Sequence, residues 1–450
     1  MSITEKKPVI NAEPTKVFFV EMLTRDIPLE QALLDLVDNS VDAAKNLANN
    51  GNGSLVGREV KIEFSKEKIR LLDNCGGFSS EVAATYAFRF GKPAGTPRTM
   101  HSIGQFGVGM KRALFKFGHH FSVRSATSDD SWSVDIDVQN WESQEGWNFP
   151  WSNFHPDANV SNENPGTEII VSNLRPEVAN RFSTKLFQST IIALIKSKHR
   201  QFIAGGLSIS VNGQHLDATS LHLLVSENAK IKPGVDSFSF KEPGKDDVHV
   251  RIVVGVGPSL PREAGWYVVG NGRVILEADR RSNTGWGHLE EQSGSVVLPS
   301  FHNQFSRFRG IVTFDSNDSS RIPWNTTKTD VDQDNPIWQQ TYTRMIELMR
   351  PVISFLNDLD SDIEEYTREQ SPLLELVNKA AIVKAENLTS QSKFEAPARG
   401  TYTKKQRTIK IQYSKPVEQV DFLMHELSAT SAKAVGERTF DLMYERMGGE

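Results

Sequence analysis

Residues 29 to 48 place five polar groups on one side of a helix. On a 3.6-residue period Asp35, Asp38, Asn39, Asp42 and Asn46 share an arc, while Leu33, Leu36, Val37, Val41, Ala44 and Leu47 share the opposite one. The apolar arc reads as a core-facing stripe. The acidic arc has no basic residue four positions on to neutralise it, which makes a solvated face a less natural reading than for most amphipathic helices. Three unpaired carboxylates call for a cation. Mg²⁺ takes oxygen ligands in octahedral geometry and keeps several waters while bridging phosphates, so one asparagine oxygen with nearby carboxylates would suit it. From this helix alone, a metal or phosphate site and a plain solvated face both stay open.

Two glycine-bearing segments follow. The strand pattern IRLL runs into Asp73-Asn74-Cys75-Gly76-Gly77-Phe78, an acid and two flexible residues where a strand stops over a pocket. A carboxylate there can accept a hydrogen bond from an adenine amino group, although a tight turn explains the string as simply. The run Ser102-Ile103-Gly104-Gln105-Phe106-Gly107-Val108-Gly109-Met110 then opens the helix pattern KRALFKFG. Backbone N–H groups at a helix N-terminus, freed of Cβ obstruction by glycine, make a seat for phosphate oxygens. The loop is not a P-loop, since the Gly-Lys-Ser/Thr ending is missing, and no dinucleotide fingerprint with a downstream ribose acid is present.

In type and order, these segments together resemble the gyrase, heat-shock-chaperone, histidine-kinase and MutL (GHKL) ATPase superfamily. An acid four residues before an asparagine is matched by Asp35 and Asn39 in DLVDNSVDA. Asp-x-Gly-x-Gly is matched by Asp73 and Gly77, with Cys75 where the first glycine is usual. Gly-x-x-Gly-x-Gly is intact as Gly104, Gly107 and Gly109, and IGQFGVG is similar to the heat-shock chaperones. A Gly-Thr before a strand is matched by Gly166-Thr167 in GTEIIVSNL. The resemblance covers roughly residues 15 to 175 and extends more weakly to about 355.

The resemblance implies a pocket for ATP and Mg²⁺. Asn39 would hold Mg²⁺ against the phosphates, Asp73 would bind the adenine amino group, and Thr167 would assist through water. Asp42, Gly77 and Gly104 are further nucleotide-binding candidates, and Gly107 and Gly109 would donate backbone N–H groups to phosphate. The stretch Ser79 to Gly104 would form an ATP-dependent lid. Asp35 takes the general-base position, which is Glu in the gyrase and MutL branches. An arm one methylene shorter makes hydrolysis less expected than binding, because misplacement by about one ångström can cost on the order of a hundredfold in rate. In the gyrase, MutL and MORC branches a second-domain loop brings a lysine to the γ-phosphate. The segment RIPWNTTKTDVD resembles that loop and makes Lys328 the candidate, against the plain alternative of a surface lysine. Lys111 is a lesser one.

The elements expected to position these groups form an α+β chain. A GHKL-type α/β sandwich ATPase domain over residues 1–175 contains the alternations Val60, Ile62, Phe64 and Trp132, Val134, Ile136, Val138. A transducer-like α/β domain follows over 176–355, with Asn212-Gly213 and Asn271-Gly272 as hairpin turns. Residues 356–407 read as helix and linker, polar from 386 on, and 408–450 as a small strand-helix-helix module. In that module Ile409, Ile411 and Tyr413 alternate, and Pro416 opens a helix. The layout looks like a ribbon-helix-helix unit, whose paired strands enter a DNA major groove in a dimer, and reads at least as well as a dimerisation or docking element with a soluble basic linker. Four of the eight tryptophans fall between Trp132 and Trp151 and are expected to cover a sheet edge.

Composition narrows the classes. At 450 residues, 38% apolar and 24% charged, the chain can bury sizeable cores. One cysteine, Cys75, excludes an intrachain disulfide, and neither a membrane span nor a secretory leader is apparent, so a cytoplasmic protein is expected. A net charge of −5 disfavours a protein coated for nucleic acid, yet residues 404–415 hold five basic and no acidic residues. The expected protein is therefore an ATP-driven switch, closest in layout to MORC-like and MutL-like ATPases. It would dimerise and act on DNA, RNA or a protein partner, with a chaperone-like ATPase and a non-hydrolysing ATP-sensing scaffold as the alternatives.

Overall fold

The structure, a computed structural model, describes residues 15–49, 54–89, 100–104, 107–287, 298–368, 370–400 and 411–448. Residues 90–99 of the expected lid, Gln105 and Phe106 of the glycine loop, and residues 401–410, with Thr408 and Lys410, lie outside the described residues. The chain divides into two compact units, Met1–Asp362 with Pro372–Arg399 and Ile363–Ser371 with Gly400–Glu450.

In the larger unit eight strands make one sheet: β1 (Glu59–Phe64), β2 (Lys68–Asp73), β3 (Gly118–Ala126), β4 (Ser131–Asp137), β5 (Trp151–Ser152), β6 (Gly166–Leu174), β7 (Ser208–Val211) and β8 (Gln214–His215). Their order is β5-β4-β3-β6-β2-β1-β7-β8. The alternating residues Val60, Ile62 and Phe64, and Trp132, Val134 and Ile136, are buried as a period of two requires. Val138, expected to extend the second set, instead opens a short helix, Val138–Ser143. The Asp137 carboxylate caps that helix by accepting from the Asn140 N–H at 2.8 Å. Strands β7 and β8, drawn from beyond the boundary expected at residue 175, join the same sheet, β7 running parallel to β1. A short strand after a helix carries no mark of the sheet it will join. Trp151 sits half-exposed on the edge strand β5, while Trp132 and Trp141 are buried beneath.

The acidic helix spans Leu29–Asn49 and buries Leu33, Leu36, Val37, Val41 and Ala44 completely or nearly so. The helix after the glycine loop, Gly109–Phe117, leads directly into β3 at Gly118.

A second sheet is built from β10 (Gly234–Phe240), β11 (Val248–Val256), β12 (Gly265–Gly270), β13 (Arg273–Asp279) and β14 (Phe308–Asp315), in the order β10-β11-β14-β12-β13. The two Asn-Gly turns form as expected, joining β7 to β8 and β12 to β13 with positive φ at all four residues. The helix Pro336–Tyr366 meets this sheet where the Trp266 indole N–H lies 3.4 Å from Met349 Sδ. Trp266 is fully buried, and a Cβ on Gly310 of the neighbouring strand β14 would stand 2.4 Å from its ring.

The stretch expected as a linker from residue 386 is not one over its first half. After the helix Pro372–Asn378, β15 (Ala381–Lys384) pairs antiparallel with β9 (His222–Val225), and Ser392 and Glu395 bridge to Val235 and Lys232. This docking uses backbone N–H and C=O groups, which leave no side-chain period to read.

The smaller unit contains two helices, Val417–Glu426 and Ala432–Arg446, the first opened by Pro416. Residues 411–416 have no regular structure, so the described part of the expected strand is not formed within one chain. A ribbon strand pairs only with a second chain, so a single copy gives it nothing to pair with.

Gly310→Ala would drive a methyl into the Trp266 ring. Overpacking of this kind costs about 1–3 kcal/mol, and the variant should lose several degrees of melting temperature in a thermal scan followed by tryptophan fluorescence.

Candidate functional site

The acidic arc of the Leu29–Asn49 helix meets its cations from far along the chain. Asp35 is buried, with Oδ2 accepting from Arg112 Nη2 at 3.0 Å and Oδ1 from Gln31 Nε2 at 3.2 Å. Asp38 is fully buried. Its Oδ1 accepts from His199 Nε2 at 2.8 Å and Arg273 Nε at 2.9 Å, and its Oδ2 from Lys328 Nζ at 2.8 Å. The Lys328 ammonium also stands 3.6 Å from Asp35 Oδ1. The helix-only expectation of carboxylates left for a metal is thus corrected. Arg112, Arg273 and Lys328 answer Asp35 and Asp38, and i+4 neighbours on the same helix say nothing about partners that tertiary folding supplies.

Electrostatics follow from this burial. Burial alone would raise the Asp38 carboxyl, but Arg273, Lys328 and His199 outweigh it and hold the group well below the usual carboxylate range. Burial would lower the Lys328 ammonium, yet Asp38 and Asp35 leave it raised. Burial pushes the His199 imidazole down, against the hydrogen bond to Asp38. Asp38, as a carboxylate, can only accept, so the hydrogen bond is donated from His199 Nε2.

Lys328 reaches this place from the tip of a tight loop. Asn325 Oδ1 accepts from the Thr329 N–H at 2.9 Å, and the Lys328 N–H donates to the Asn325 carbonyl at 3.0 Å. An isolated bridge between Trp324 and Val331 closes the base. Lys328 itself has φ +55°, a left-handed backbone that costs a lysine on the order of 1–3 kcal/mol and that its surroundings must enforce.

The remaining sequence candidates gather around the same helix. Asn39 projects as an exposed side chain one residue past Asp38. A Cβ on Gly109 would stand 3.1 Å from Asp35, and one on Gly104 would stand 3.3 Å from Asp42 and 3.9 Å from Asn39. Gly107 has φ +64°. Asp42, expected among the nucleotide ligands, here uses both oxygens on the loop: its carboxylate accepts from the Ile103 N–H at 2.8 Å and the Gly104 N–H at 2.8 Å. Burial raises its carboxyl in spite of Lys45. Lys111 is buried and points away from the acidic arc, donating to the carbonyls of Ala87 and Arg89 at 2.7 Å each. Arg112, its neighbour, holds Asp35 instead and was not legible as a site residue. Its only sequence signal is its place three residues after Gly109.

At the far end Asp73 closes β2 opposite Thr167 of β6. Asp73 Oδ2 accepts from Ser40 Oγ at 2.6 Å, and Oδ1 accepts from the Cys75 N–H at 2.9 Å and the Thr167 N–H at 3.3 Å. A carboxylate offers about four lone-pair sites, so three donors leave room for one more. Burial raises this carboxyl above its ordinary value against those three bonds. Thr167 Oγ1 lies 3.0 Å from Ser125 Oγ, another residue the motifs did not single out. The departure at Cys75 is harmless to this geometry. The positive φ values fall on Gly76 and Gly77, and Cys75 contributes a backbone N–H while its thiol is buried and pushed up by burial and by Asp73. A Cβ on Gly77 would lie 2.2 Å from the Ala126 carbonyl oxygen.

The oxygen ligand these residues offer a magnesium nucleotide is the exposed Asn39, whose Oδ1 lies 3.9 Å from where a Cβ on Gly104 would stand. Among the described residues no group of three or more His, Cys, Asp or Glu is placed to hold a metal ion. A cation would then depend on the Asn39 oxygen together with phosphate and water, the arrangement Mg²⁺ favours.

Residues 27–167 match the family described as histidine kinase-, DNA gyrase B-, and HSP90-like ATPase. The match includes Asp35, Asn39, Asp73 and the three loop glycines, and ends at Thr167. No curated protein matches the chain. The match supports a GHKL-type ATPase domain over this segment and, with it, ATP binding. Among the described residues no helix is long and apolar enough to cross a membrane.

Asp38→Asn should destabilise the protein by about 3–5 kcal/mol, since it leaves buried cations unanswered. The folded carboxyl lies below its unfolded value of about 3.9, so its stabilisation is present above that pH and lost as pH falls through the folded value. In urea unfolding, the gap between wild type and variant should be level from about pH 8 to 5 and narrow only below about pH 4. A gap that closed between pH 8 and 6 would assign the effect to another group.

Proposed function

We propose that this protein is a Mg²⁺- and ATP-dependent switch in which the nucleotide joins the first sheet's domain to the second. The reading is carried by one observation: Lys328, from a loop next to the second sheet, lies between Asp35 and Asp38, and the residue that follows Asp38 is the exposed Asn39. Asn39 would hold the magnesium. Asp73 accepts from the adenine amino group, with Thr167 acting through water, where Gly77 lets the backbone pack closely against Ala126. Gly107 and Gly109 present N–H groups to phosphate oxygens at the start of a helix. Asp35 orients the attacking water, and the Lys328 ammonium stabilises charge on the transferring phosphoryl group. Magnesium supplies charge neutralisation between the β- and γ-phosphates when bound.

Closure of the segment 79–104 and pairing of two chains complete the proposed cycle. The smaller unit supports pairing. Phe422, Phe440, Met443, Tyr444 and Met447 are all more than half exposed there, and among the described residues of the helices Val417–Glu426 and Ala432–Arg446 only Val435 is buried. Two helices with so little core are not stable alone, and a second copy supplies the missing face. The basic run 404–415 then adds phosphate contacts to DNA or RNA, which makes the switch one that acts on nucleic acid. A second reading, an ATP-sensing scaffold without turnover, is favoured by the 3.0 Å ion pair of Arg112 with Asp35, which engages the group meant to orient water.

Purified protein should hydrolyse ATP slowly. Asn39→Ala should abolish Mg·ATP binding in calorimetry, whereas Asp35→Asn should retain binding and lose turnover by about 10²–10⁴. Binding with no turnover in the wild type, with or without DNA, would select the scaffold. Binding to a DNA duplex should fall steeply with salt and disappear on deletion of residues 404–450. Full DNA affinity in that truncated protein would remove the nucleic-acid part of the proposal.

A further inference from the structure

Asp38 has no role in the motifs, yet a histidine, an arginine and a lysine converge on its carboxylate. Its partners differ in freedom. Arg273 is fully buried in β13 and fastened there, its Nη1 donating to the Val274 carbonyl at 2.8 Å. His199 is fully buried between two helices, Lys185–Lys198 and Arg200–Ala204. Lys328 alone stands on a loop tip, on a flexible four-carbon stem, and alone also faces Asp35. One further atom fits the pattern: Arg273 Nη2 is buried without a hydrogen-bond partner. An unsatisfied buried donor is costly. Here it lies on a guanidinium whose Nε already holds Asp38, and so is a donor in reserve for the same carboxylate.

We propose that Asp38 is a positioning residue that retains Lys328 at the acidic helix when no third phosphate is present. The γ-phosphate draws Lys328 away, and Arg273 and His199 continue to satisfy Asp38. Whether the nucleotide has two or three phosphates is thereby communicated to the 325–330 loop and the second sheet. The inference rests on the reading of this site as a Mg·ATP pocket. A carboxylate that competes for the lysine lowers triphosphate affinity and leaves diphosphate affinity alone. A carboxylate that merely braces the fold would affect both nucleotides alike.

The test is calorimetric titration of the full chain with Mg·ADP and with a non-hydrolysable Mg·ATP analogue, read as the ratio of the two affinities. Lys328→Met should abolish the preference for triphosphate. Asp38→Asn should raise that preference about fivefold or more, and in the Lys328→Met background should have no effect on it. Arg273→Met should act in the opposite direction, because Asp38 then holds Lys328 more tightly. Should Asp38→Asn not fold, the Arg273→Met and Lys328→Met pair decides the matter alone. An unchanged ratio in Asp38→Asn or Arg273→Met, or a change that persists without Lys328, overturns the role given to Asp38. Failure of the wild type to bind either nucleotide would instead overturn the ATP reading itself.

Discussion

A carboxylate with no solvent exposure must be answered within the protein, and the answer to Asp38 comes from 161, 235 and 290 residues away along the chain. Leaving such a charge without partners would cost several kcal/mol, so the His199, Arg273 and Lys328 contacts are a condition for the acidic helix to lie where it does. This ties the placement of Asn39, the next residue, to the second sheet. The site and the domain that would respond to it share one ion cluster, and neither is assembled in full without the other.

The part of the site around Asp73 is organised differently. There the placement of Asp73 follows from strand register: β2 pairs with β6, which sets Asp73 against Thr167, and β3 pairs with β6, which sets Ser125 against Thr167. The glycines at 77 and 166 admit close backbone approach, since a Cβ at Gly166 would lie 2.0 Å from the Asp73 carbonyl oxygen. A hydrogen-bonded sheet makes a rigid wall, suited to recognition of a base. The part around Asp35 and Asp38 is built from loops and long side chains, which can rearrange.

What the sequence made legible was local. The amphipathic arc of the 29–48 helix, the Asn-Gly turns and the helix that opens at Gly109 depend on residues a few positions apart, and each forms as expected. Lys328 was found through a family resemblance in its loop, and the structure brings it to Asp35. The partners of the acidic arc were hidden because Arg112, His199 and Arg273 lie on three separate elements, and nothing in their own neighbourhoods distinguishes a buried ion-pair residue from a surface one. The docking of residues 381–395 was hidden because main-chain pairing is indifferent to side-chain type. The strand expected around Ile411 illustrates a third limit: alternation marks the capacity to pair, and the partner decides whether pairing occurs.

The β12–β13 hairpin gives these pieces a common origin. Asn271, in its turn, has φ +46°, and its side-chain amide donates to the Ser102 carbonyl at 2.9 Å and to the Ser316 carbonyl at 3.0 Å. Lys45 of the acidic helix donates to the carbonyls of both Asn271 and His101. Two residues after Asn271, Arg273 holds Asp38. One turn thus touches both the entry to the glycine loop and the acidic helix, the two parts that would contact phosphate from opposite sides. Any displacement of the glycine loop relative to the acidic helix must strain this hairpin or move it. Because β13 and β12 belong to the second sheet, moving it carries the change into the rest of that domain.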